Sequence, residues 1–355
     1  MKIVKNEITA ENDPAITALL PNAEDTVWFD IETTGLSSKV SIIYLIGFIV
    51  CENGKAIMTQ LLADDLDSEK EILHYFCKLM NDKKYLIHYN GDGFDIPFVR
   101  NRCEKYGLAF PREILTSIDI FKELRHYKDF FHLPDLKQPT VEMFMHTGRM
   151  DHTNGGELIS VYSRYLKMAL TGDAKASDLE NVLLLHNHDD VLGMYKMRPL
   201  LAFLLGMKEP KSFFKDVKMR DSGDELIITA AIPVCPGSGE DSCGVYNIKT
   251  VTGTDGVFLE ISAPVYEAEL KFFYKDYKDY YYIPDEDMAV HKSIAEFMPK
   301  EKRVKAKASN CYTRHTGRFV PIPHEFADRF HVLKKDYKSK EYFAEVKEIL
   351  GSGTL

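Results

Sequence analysis

Three short stretches of the chain carry carboxylates or imidazoles at spacings that could hold a cation. The first is Asp30 and Glu32, at the end of the apolar run TVWFDI (26–31). Residues two apart in a strand point to the same face, so these carboxylates would repel each other unless a cation or a proton lies between them. Hard divalent cations such as Mg²⁺ and Mn²⁺ prefer oxygen ligands. The pair therefore indicates half of a metal site, although a bare D-x-E could also be a solvated strand end.

The second stretch is the glycine-rich segment NGDGFDIPF (90–98), which follows an apolar run and precedes a helical pattern. Asp95 lies close to Pro97, a residue suited to the first turn of a helix. Taken alone, Asp95 could serve only as a helix cap that accepts free backbone N–H groups. The surrounding segment favours a third metal-binding carboxylate instead.

The third stretch is HNHDDV (186–191), inside a helical pattern. His186 and Asp190 are four residues apart and share one helix face, whereas His188 and Asp189 face elsewhere. A His–Asp helix pair is usually a surface ion pair. Because this one follows two carboxylate stretches, we interpret it as part of the same site.

The elements that must position these groups form an α/β layer. A leader of polar residues precedes the first strand, Asn53-Gly54 predicts a tight hairpin, and an amphipathic helix is predicted over 68–81. The pattern predicts a mixed five-stranded sheet flanked by helices, with strands at 26–31, 42–51, 56–63, 84–89 and 117–124.

A second, β-rich α+β domain is predicted beyond a change of composition near residue 210, which divides the chain into 1–210 and 211–355. Aromatic residues are frequent over 271–283, and the segment 300–318 is basic. Such groups can stack on bases and bind phosphates. They could equally be core aromatics beside a solvated basic face.

Composition limits the class of protein. The 355 residues are 45% hydrophobic and 28% charged, typical of a soluble globular protein. No apolar run reaches membrane-spanning length and the N-terminus does not resemble a secretory signal, so we expect a cytoplasmic location without membrane partners. Six cysteines without a C-x-x-C pair give little support to a zinc site. The net charge of −9 is unusual for a nucleic-acid enzyme.

The stretches FDIETTGL (29–36), HYNGDGFDIPF (88–98) and HNHDDV (186–191) resemble motifs one, two and three of the DEDD exonucleases, the superfamily of proofreading exonucleases and DnaQ-like proteins. The stretch GRMDHTNGGELISVY (148–162) resembles the YprB-like ribonuclease H-like group. The resemblance covers about residues 25–205. It implies an RNase H-like fold and a two-metal 3′→5′ exonuclease acting on DNA or RNA, at a single-stranded 3′ end.

The resemblance also implies roles for individual residues. Asp30, Glu32 and Asp190 would ligate one Mg²⁺ or Mn²⁺ ion, and Asp30 would bridge to a second ion on which Asp95 acts directly or through water. The residues that would contact or position the terminal nucleotide are Thr33, Thr34, Gly35, Leu36 and Asn90.

The general base is where the chain departs from the family pattern. DnaQ-like enzymes have a His five residues before the last Asp, and polymerase proofreading domains have a Tyr four before it. Here His186 stands four before Asp190. An imidazole can accept a proton from metal-bound water near neutral pH, so His186 is the predicted base. His188 is the alternative, and the metals alone could also generate the nucleophile.

Two other functions are compatible with the same residues: a catalytically degenerate nucleic-acid-binding protein and an RNase H-like endonuclease. Four intact carboxylates argue against the first. The sequence does not distinguish DNA from RNA as the substrate, and it does not define the oligomeric state.

Overall fold

The protein is described by a computed structural model covering residues 1–9, 13–111, 115–151, 153, 155–209, 213–321 and 330–332. The last part of the predicted C-terminal domain, from residue 333 on, lies outside the described residues. No helix in the described ranges is both long and apolar enough to cross a membrane.

The N-terminal part of the chain forms a mixed six-stranded sheet in the order β1-β4-β3-β2-β5-β6. The strands β2, β5 and β6 are parallel, and the other pairs are antiparallel. The α/β class with a mixed sheet is confirmed. The strands are β1 (Lys2–Ile8), β2 (Thr26–Thr33), β3 (Ile43–Glu52), β4 (Lys55–Leu62), β5 (Tyr85–His88) and β6 (Thr116–Asp119).

The prediction of five strands is wrong by one, because the polar N-terminal segment forms a sixth strand, β1. It pairs along the whole of β4, from Lys2 opposite Leu62 to Ile8 opposite Ala56. Its residues are mostly exposed. An edge strand is held by its backbone ladder and needs no continuous apolar run, so the apolar pattern could not predict it.

The predicted strand over 117–124 is wrong in its second half. β6 ends at Asp119, whose side chain caps the short helix α4 (Ile120–Leu124) by accepting from Phe121 N at 3.1 Å. The chain therefore leaves the sheet where Asp119 satisfies a free helical N–H group. The hairpin prediction is confirmed: Asn53 and Gly54 join β3 to β4 with φ of 52° and 76°.

Helices cover both faces of this sheet, and α7 packs against β2, β3 and β4. The amphipathic helix predicted over 68–81 is α2. The described helices are α1 (Pro14–Thr17), α2 (Glu69–Met80), α3 (Asp95–Lys105), α4 (Ile120–Leu124), α5 (Gln138–Phe144), α6 (Gly155–Thr171), α7 (Ala176–Lys196), α8 (Arg198–Lys208) and α9 (Lys292–Ala295).

The C-terminal region is β-rich, as predicted. It contains one five-stranded sheet, β7-β8-β11-β10-β9, and two three-stranded sheets, β12-β16-β17 and β14-β13-β15. The strands are β7 (Lys215–Asp221), β8 (Glu225–Ile232), β9 (Glu240–Cys243), β10 (Tyr246–Gly253), β11 (Gly256–Pro264), β12 (Tyr266–Phe273), β13 (Tyr280–Ile283), β14 (Met288–His291), β15 (Val304–Lys305), β16 (Tyr312–Pro321) and β17 (Phe330–Val332).

The two parts of the chain share apolar core. One buried cluster contains Trp28, Phe130 and Phe203 together with Leu226 and Ile261 from beyond residue 210. Glu240 N also donates to Phe130 O at 2.9 Å. The division at residue 210 therefore remains a prediction, since packing continues across it.

Candidate metal centre and nucleic-acid surface

The centre is built on the end of β2, in the middle of the sheet. Asp30 and Glu32 flank buried Ile31, so their side chains share the opposite face. Asp30 lies opposite Gly47 of β3, and Asn187 Nδ2 of helix α7 donates to Asp30 Oδ2 at 3.1 Å. The strand end therefore faces the helix that carries the third motif.

Gly47 is where that helix and the sheet come closest. A Cβ atom on Gly47 would lie 1.9 Å from Asn187 Oδ1. Gln60 Nε2 on the neighbouring strand donates to the same Oδ1 at 3.1 Å and to Leu184 O at 2.8 Å. Because the Asn187 amide accepts from Gln60 at its oxygen, its NH₂ group points toward Asp30. Asn187 thereby fixes one carboxylate of the centre, a role that the sequence did not reveal.

Asp95 reaches the same place from the adjacent strand–helix connection. It is the first residue of α3 and is buried. Burial raises the pKa of Asp95 to about 7, hydrogen bonds from its own N–H and that of Ile31 oppose the shift, and Asp119 and Asp190 add to it. The Ile31 contact ties the second motif to β2 directly.

Helix α7 presents His186 and Asp190 on one face, as their spacing predicts. His186 Nε2 lies 3.2 Å from Asp190 Oδ2 and 3.6 Å from Glu32 Oε1. Ligand atoms of these three residues all lie within 4.8 Å of one another. His188 instead contacts Asp189, with 3.1 Å between Nδ1 and Oδ1.

The four predicted carboxylates are close enough to repel one another. Burial, then repulsion from Asp190 and Asp95, raises the pKa values of both Asp30 and Glu32 well above their ordinary range. Burial likewise raises the pKa of Asp190, which His186 and Arg149 counteract. Hard divalent cations fit this donor set, since it consists of carboxylate oxygens with one imidazole.

A loop before α6 completes the centre with residues that sequence reasoning did not assign to it. Asp151 Oδ2 lies 2.6 Å from His186 Nδ1. A carboxylate can only accept, so Nδ1 carries the proton and Nε2 faces Glu32 and Asp190. The backbone N–H groups of Met150 and Asp151 both donate to Asp189 Oδ2 at 2.7 Å. The loop lies in the stretch 148–162, but no spacing rule connects it to the third motif.

The residues predicted to contact a nucleotide lie around this centre. β2 ends at Thr33, whose Oγ1 donates to Gly35 O at 2.9 Å, and Thr34 Oγ1 accepts from Ile42 N at 3.0 Å. These contacts hold the turn that follows β2, in which Leu36 lies 89% exposed.

Asn90 has a left-handed φ of 59° and donates its N–H to Asp119 Oδ1 at 2.8 Å. It opens onto a cavity of about 480 Å³ next to Asp190. The cavity combines aromatic, aliphatic and polar groups and is lined by Tyr89, Asn90, Phe121, Leu136, Lys137, Gln138 and Asp190.

The basic segment 300–318 is partly paired with acidic residues of the protein. Arg314 contacts Glu269 at 3.2 Å, Arg318 contacts Asp221, and Lys302 lies 3.6 Å from Asp285. Arg303 donates to a backbone carbonyl and lies over the Tyr281 ring, 5.1 Å from its centroid. Lys300, Lys305 and Lys307 are exposed and form no salt bridge with an acidic residue of the described ranges.

Comparisons with known proteins agree with this architecture. Residues 27–202 match the family model RNase_H_2, described as RNase_H superfamily. The DNA polymerase of Thermococcus sp. (strain 9oN-7) is 30% identical over 114 residues, 30% of this chain and 14% of that protein. The DNA polymerase of Pyrococcus glycovorans is 33% identical over 92 residues, 23% of this chain and 12% of that protein.

A family B DNA polymerase structure from Pyrobaculum calidifontis is similar to 50% of this chain and 25% of that one, with a TM-score of 0.37 and 13% identity. The chain thus spans only a small part of the curated relatives it matches. Together with the mixed sheet and its flanking helices, the family match identifies residues 27–202 as an RNase H-like domain.

Proposed function

We propose that the chain is a two-metal-ion 3′→5′ exonuclease that hydrolyses phosphodiester bonds of single-stranded DNA or RNA. Asp30, Glu32, Asp95 and Asp190 would hold two Mg²⁺ or Mn²⁺ ions. The observation that carries the proposal is the convergence of these carboxylates. Burial and mutual repulsion raise their pKa values. Such a cluster is stable at neutral pH only with protons or cations to balance it.

Nucleic acid is the substrate class that the comparisons support. The matched family model is that of the RNase_H superfamily, and the similar curated proteins are DNA polymerases. The cavity that Asn90 lines also contains Asp190, and Leu36 lies exposed four residues after Glu32. An unpaired 3′ end could place its last nucleotide in this cavity, which supports a single strand as substrate.

Each protein group has a defined task in this mechanism. Bound cations would supply charge stabilisation at the phosphate and lower the pKa of the attacking water. His186 would accept the proton of that water at Nε2, because Nδ1 is committed to Asp151. Asn187 holds Asp30 in place from the side of the helix. Leu36 and Asn90 would restrict the position of the terminal nucleotide.

His186 could instead be a metal ligand, because its Nε2 lies among the carboxylate oxygens. The substitution His186→Ala distinguishes the roles. As a base, its loss should lower turnover by about 10²–10⁴-fold and leave the Mn²⁺ dissociation constant nearly unchanged. A large loss of Mn²⁺ affinity would instead assign His186 to the ligands. His188→Ala is the matched control and should change both values little.

The proposed activity is tested with end-labelled single-stranded DNA, RNA and double-stranded DNA in Mg²⁺ or Mn²⁺. We expect a ladder that shortens one nucleotide at a time from the 3′ end. Asp190→Asn should abolish it, while Asp129→Asn, at a side chain 76% exposed, should not. Internal fragments would identify an endonuclease. Binding without cleavage would indicate a degenerate nucleic-acid-binding protein.

A further inference from the structure

Arg149 contributes a guanidinium to the carboxylate centre. Its Nη1 lies 2.6 Å from Asp190 Oδ1 and 3.1 Å from Glu142 Oε2. Its side chain is 12% exposed. Asp190, a proposed metal ligand, therefore already has a positive partner inside the protein.

Glu142 anchors this arginine independently of Asp190. It is buried on α5, and Gln138 Nε2 donates to its Oε1 at 2.8 Å. Helix α7 makes room for it at Gly193, where a Cβ atom would lie 2.2 Å from Glu142 Oε1. A buried carboxylate needs a cationic or hydrogen-bonding partner, and Arg149 is the cation that Glu142 contacts.

The backbone around Arg149 is fixed as well. The N–H groups of the next two residues, Met150 and Asp151, donate to Asp189 Oδ2 on α7, and Arg149 Nε donates to Asp151 O at 3.0 Å. The guanidinium thus stays within reach of the centre even if it releases Asp190.

A positive charge at this distance from a ligand oxygen opposes the binding of a metal cation. The arrangement therefore weakens the metal site. A planar guanidinium with several N–H donors is also the side chain best suited to a phosphate. The same group could bind the phosphate that the metals bring to the centre.

We propose that Arg149 is a catalytic residue with two partners: it neutralises Asp190 in the metal-free protein, and it donates to the phosphate at the centre once cations occupy Asp190. Glu142 holds it in both states. This inference rests on the proposed nuclease function and adds a residue to it.

The test uses the full chain with Arg149→Met and Arg149→Lys. Mn²⁺ binding is measured by calorimetric titration without nucleic acid, and kcat is measured on a single-stranded oligonucleotide at saturating Mn²⁺. Arg149→Met should bind Mn²⁺ about tenfold more tightly, because the competing charge is gone. Its kcat should fall by about 10²–10³-fold, the range for losing one positioned donor.

Arg149→Lys keeps the charge and loses the planar fork of donors. Its Mn²⁺ affinity should stay near that of the unchanged protein, while its kcat should lie between the other two. This variant also keeps the inference testable if the methionine variant does not fold.

Opposite changes in affinity and turnover would support the inference, whereas a purely structural arginine would weaken both on removal. Unchanged or weaker Mn²⁺ binding by a folded Arg149→Met protein would overturn the competition with metal. Unchanged kcat would overturn the phosphate contact and leave the nuclease proposal intact. If the unchanged protein cuts no nucleic acid, the proposed function fails, and the catalytic role of Arg149 fails with it.

Discussion

The chain buries carboxylates in two different ways. At Glu69 one carboxylate meets one guanidinium: Oε1 accepts from Arg102 Nε at 2.7 Å and from Ile43 N at 2.8 Å. Oε2 accepts from Tyr106 Oη at 2.8 Å and from Arg102 Nη2. Both oxygens are satisfied, and the charge is matched.

The candidate metal centre has no such balance. It contains four carboxylates, those of Asp30, Glu32, Asp95 and Asp190. Among the described residues, the positive or basic groups that contact them are the guanidinium of Arg149, which also contacts Glu142, and the imidazole of His186. The comparison distinguishes two roles of buried carboxylates. A matched pair holds helices α2 and α3 together, whereas an unmatched cluster needs protons or cations to balance its charge.

The largest effect should come from breaking the matched pair. Arg102→Met leaves Glu69 buried and unpaired, so we expect the free energy of unfolding to fall by about 3–5 kcal/mol. Arg100→Met, on the same helix at an exposed ion pair, should cost less than about 1 kcal/mol. Urea denaturation of the metal-free proteins measures both.

Asp30→Asn is the counterpart in the unmatched cluster. Removing one of several like charges relieves repulsion, so the metal-free variant should be at least as stable as the unchanged protein. A loss as large as that of Arg102→Met would mean that the cluster is balanced internally, and the contrast between the two regions would disappear.

A smaller effect should appear as a pH dependence. The pKa of Asp95 is about 7 in the folded protein, against an ordinary value of 3.8. Between these values the folded state keeps a proton that the unfolded state has lost, so stability falls as pH rises from 4 to 7. We expect a loss on the order of 1 kcal/mol for each pH unit in metal-free protein.

Thermal unfolding at several pH values, with and without Mn²⁺, measures this dependence. Asp95→Asn should flatten the metal-free curve, and saturating Mn²⁺ should restore stability at pH 7. A metal-free curve that rises over this range would contradict the assignment of surplus negative charge to the centre.

The smallest effect concerns the basic segment. Because Arg314, Arg318 and Lys302 are paired with acids, they should contribute little to phosphate binding. Neutralising Lys305 and Lys307 should flatten the slope of log K against log salt by about 0.7 per lost phosphate contact on a single strand. Fluorescence anisotropy at two salt concentrations measures it, and an unchanged slope would leave this surface without a role in binding.

Much of the candidate centre could be predicted because its proposed ligands follow local rules. Two-residue spacing placed Asp30 and Glu32 on one strand face, and four-residue spacing placed His186 and Asp190 on one helix face. Three ordered motifs then predicted the convergence of separate elements. Whether these residues catalyse hydrolysis stays a prediction.

The supporting residues could not be predicted in the same way. Arg149 and Asp151 contact α7 at residues 41 and 35 positions further along the chain, and Glu142 acts through Arg149. No periodicity joins these residues to α7. Strand β1 was missed for a related reason, since its partner is a backbone ladder 48 to 60 residues away. Such features depend on packing, which a single sequence shows only through apolar patterns.

Gly47 has a consequence for how the chain can vary. Asn187 occupies the space that a side chain at position 47 would need. Even an alanine there would displace the Asn187 amide from Asp30. The two positions are 140 residues apart in the chain, yet a substitution at one limits the choices at the other. In related chains, a larger residue at position 47 should therefore occur together with a smaller residue at position 187. The two positions should vary jointly.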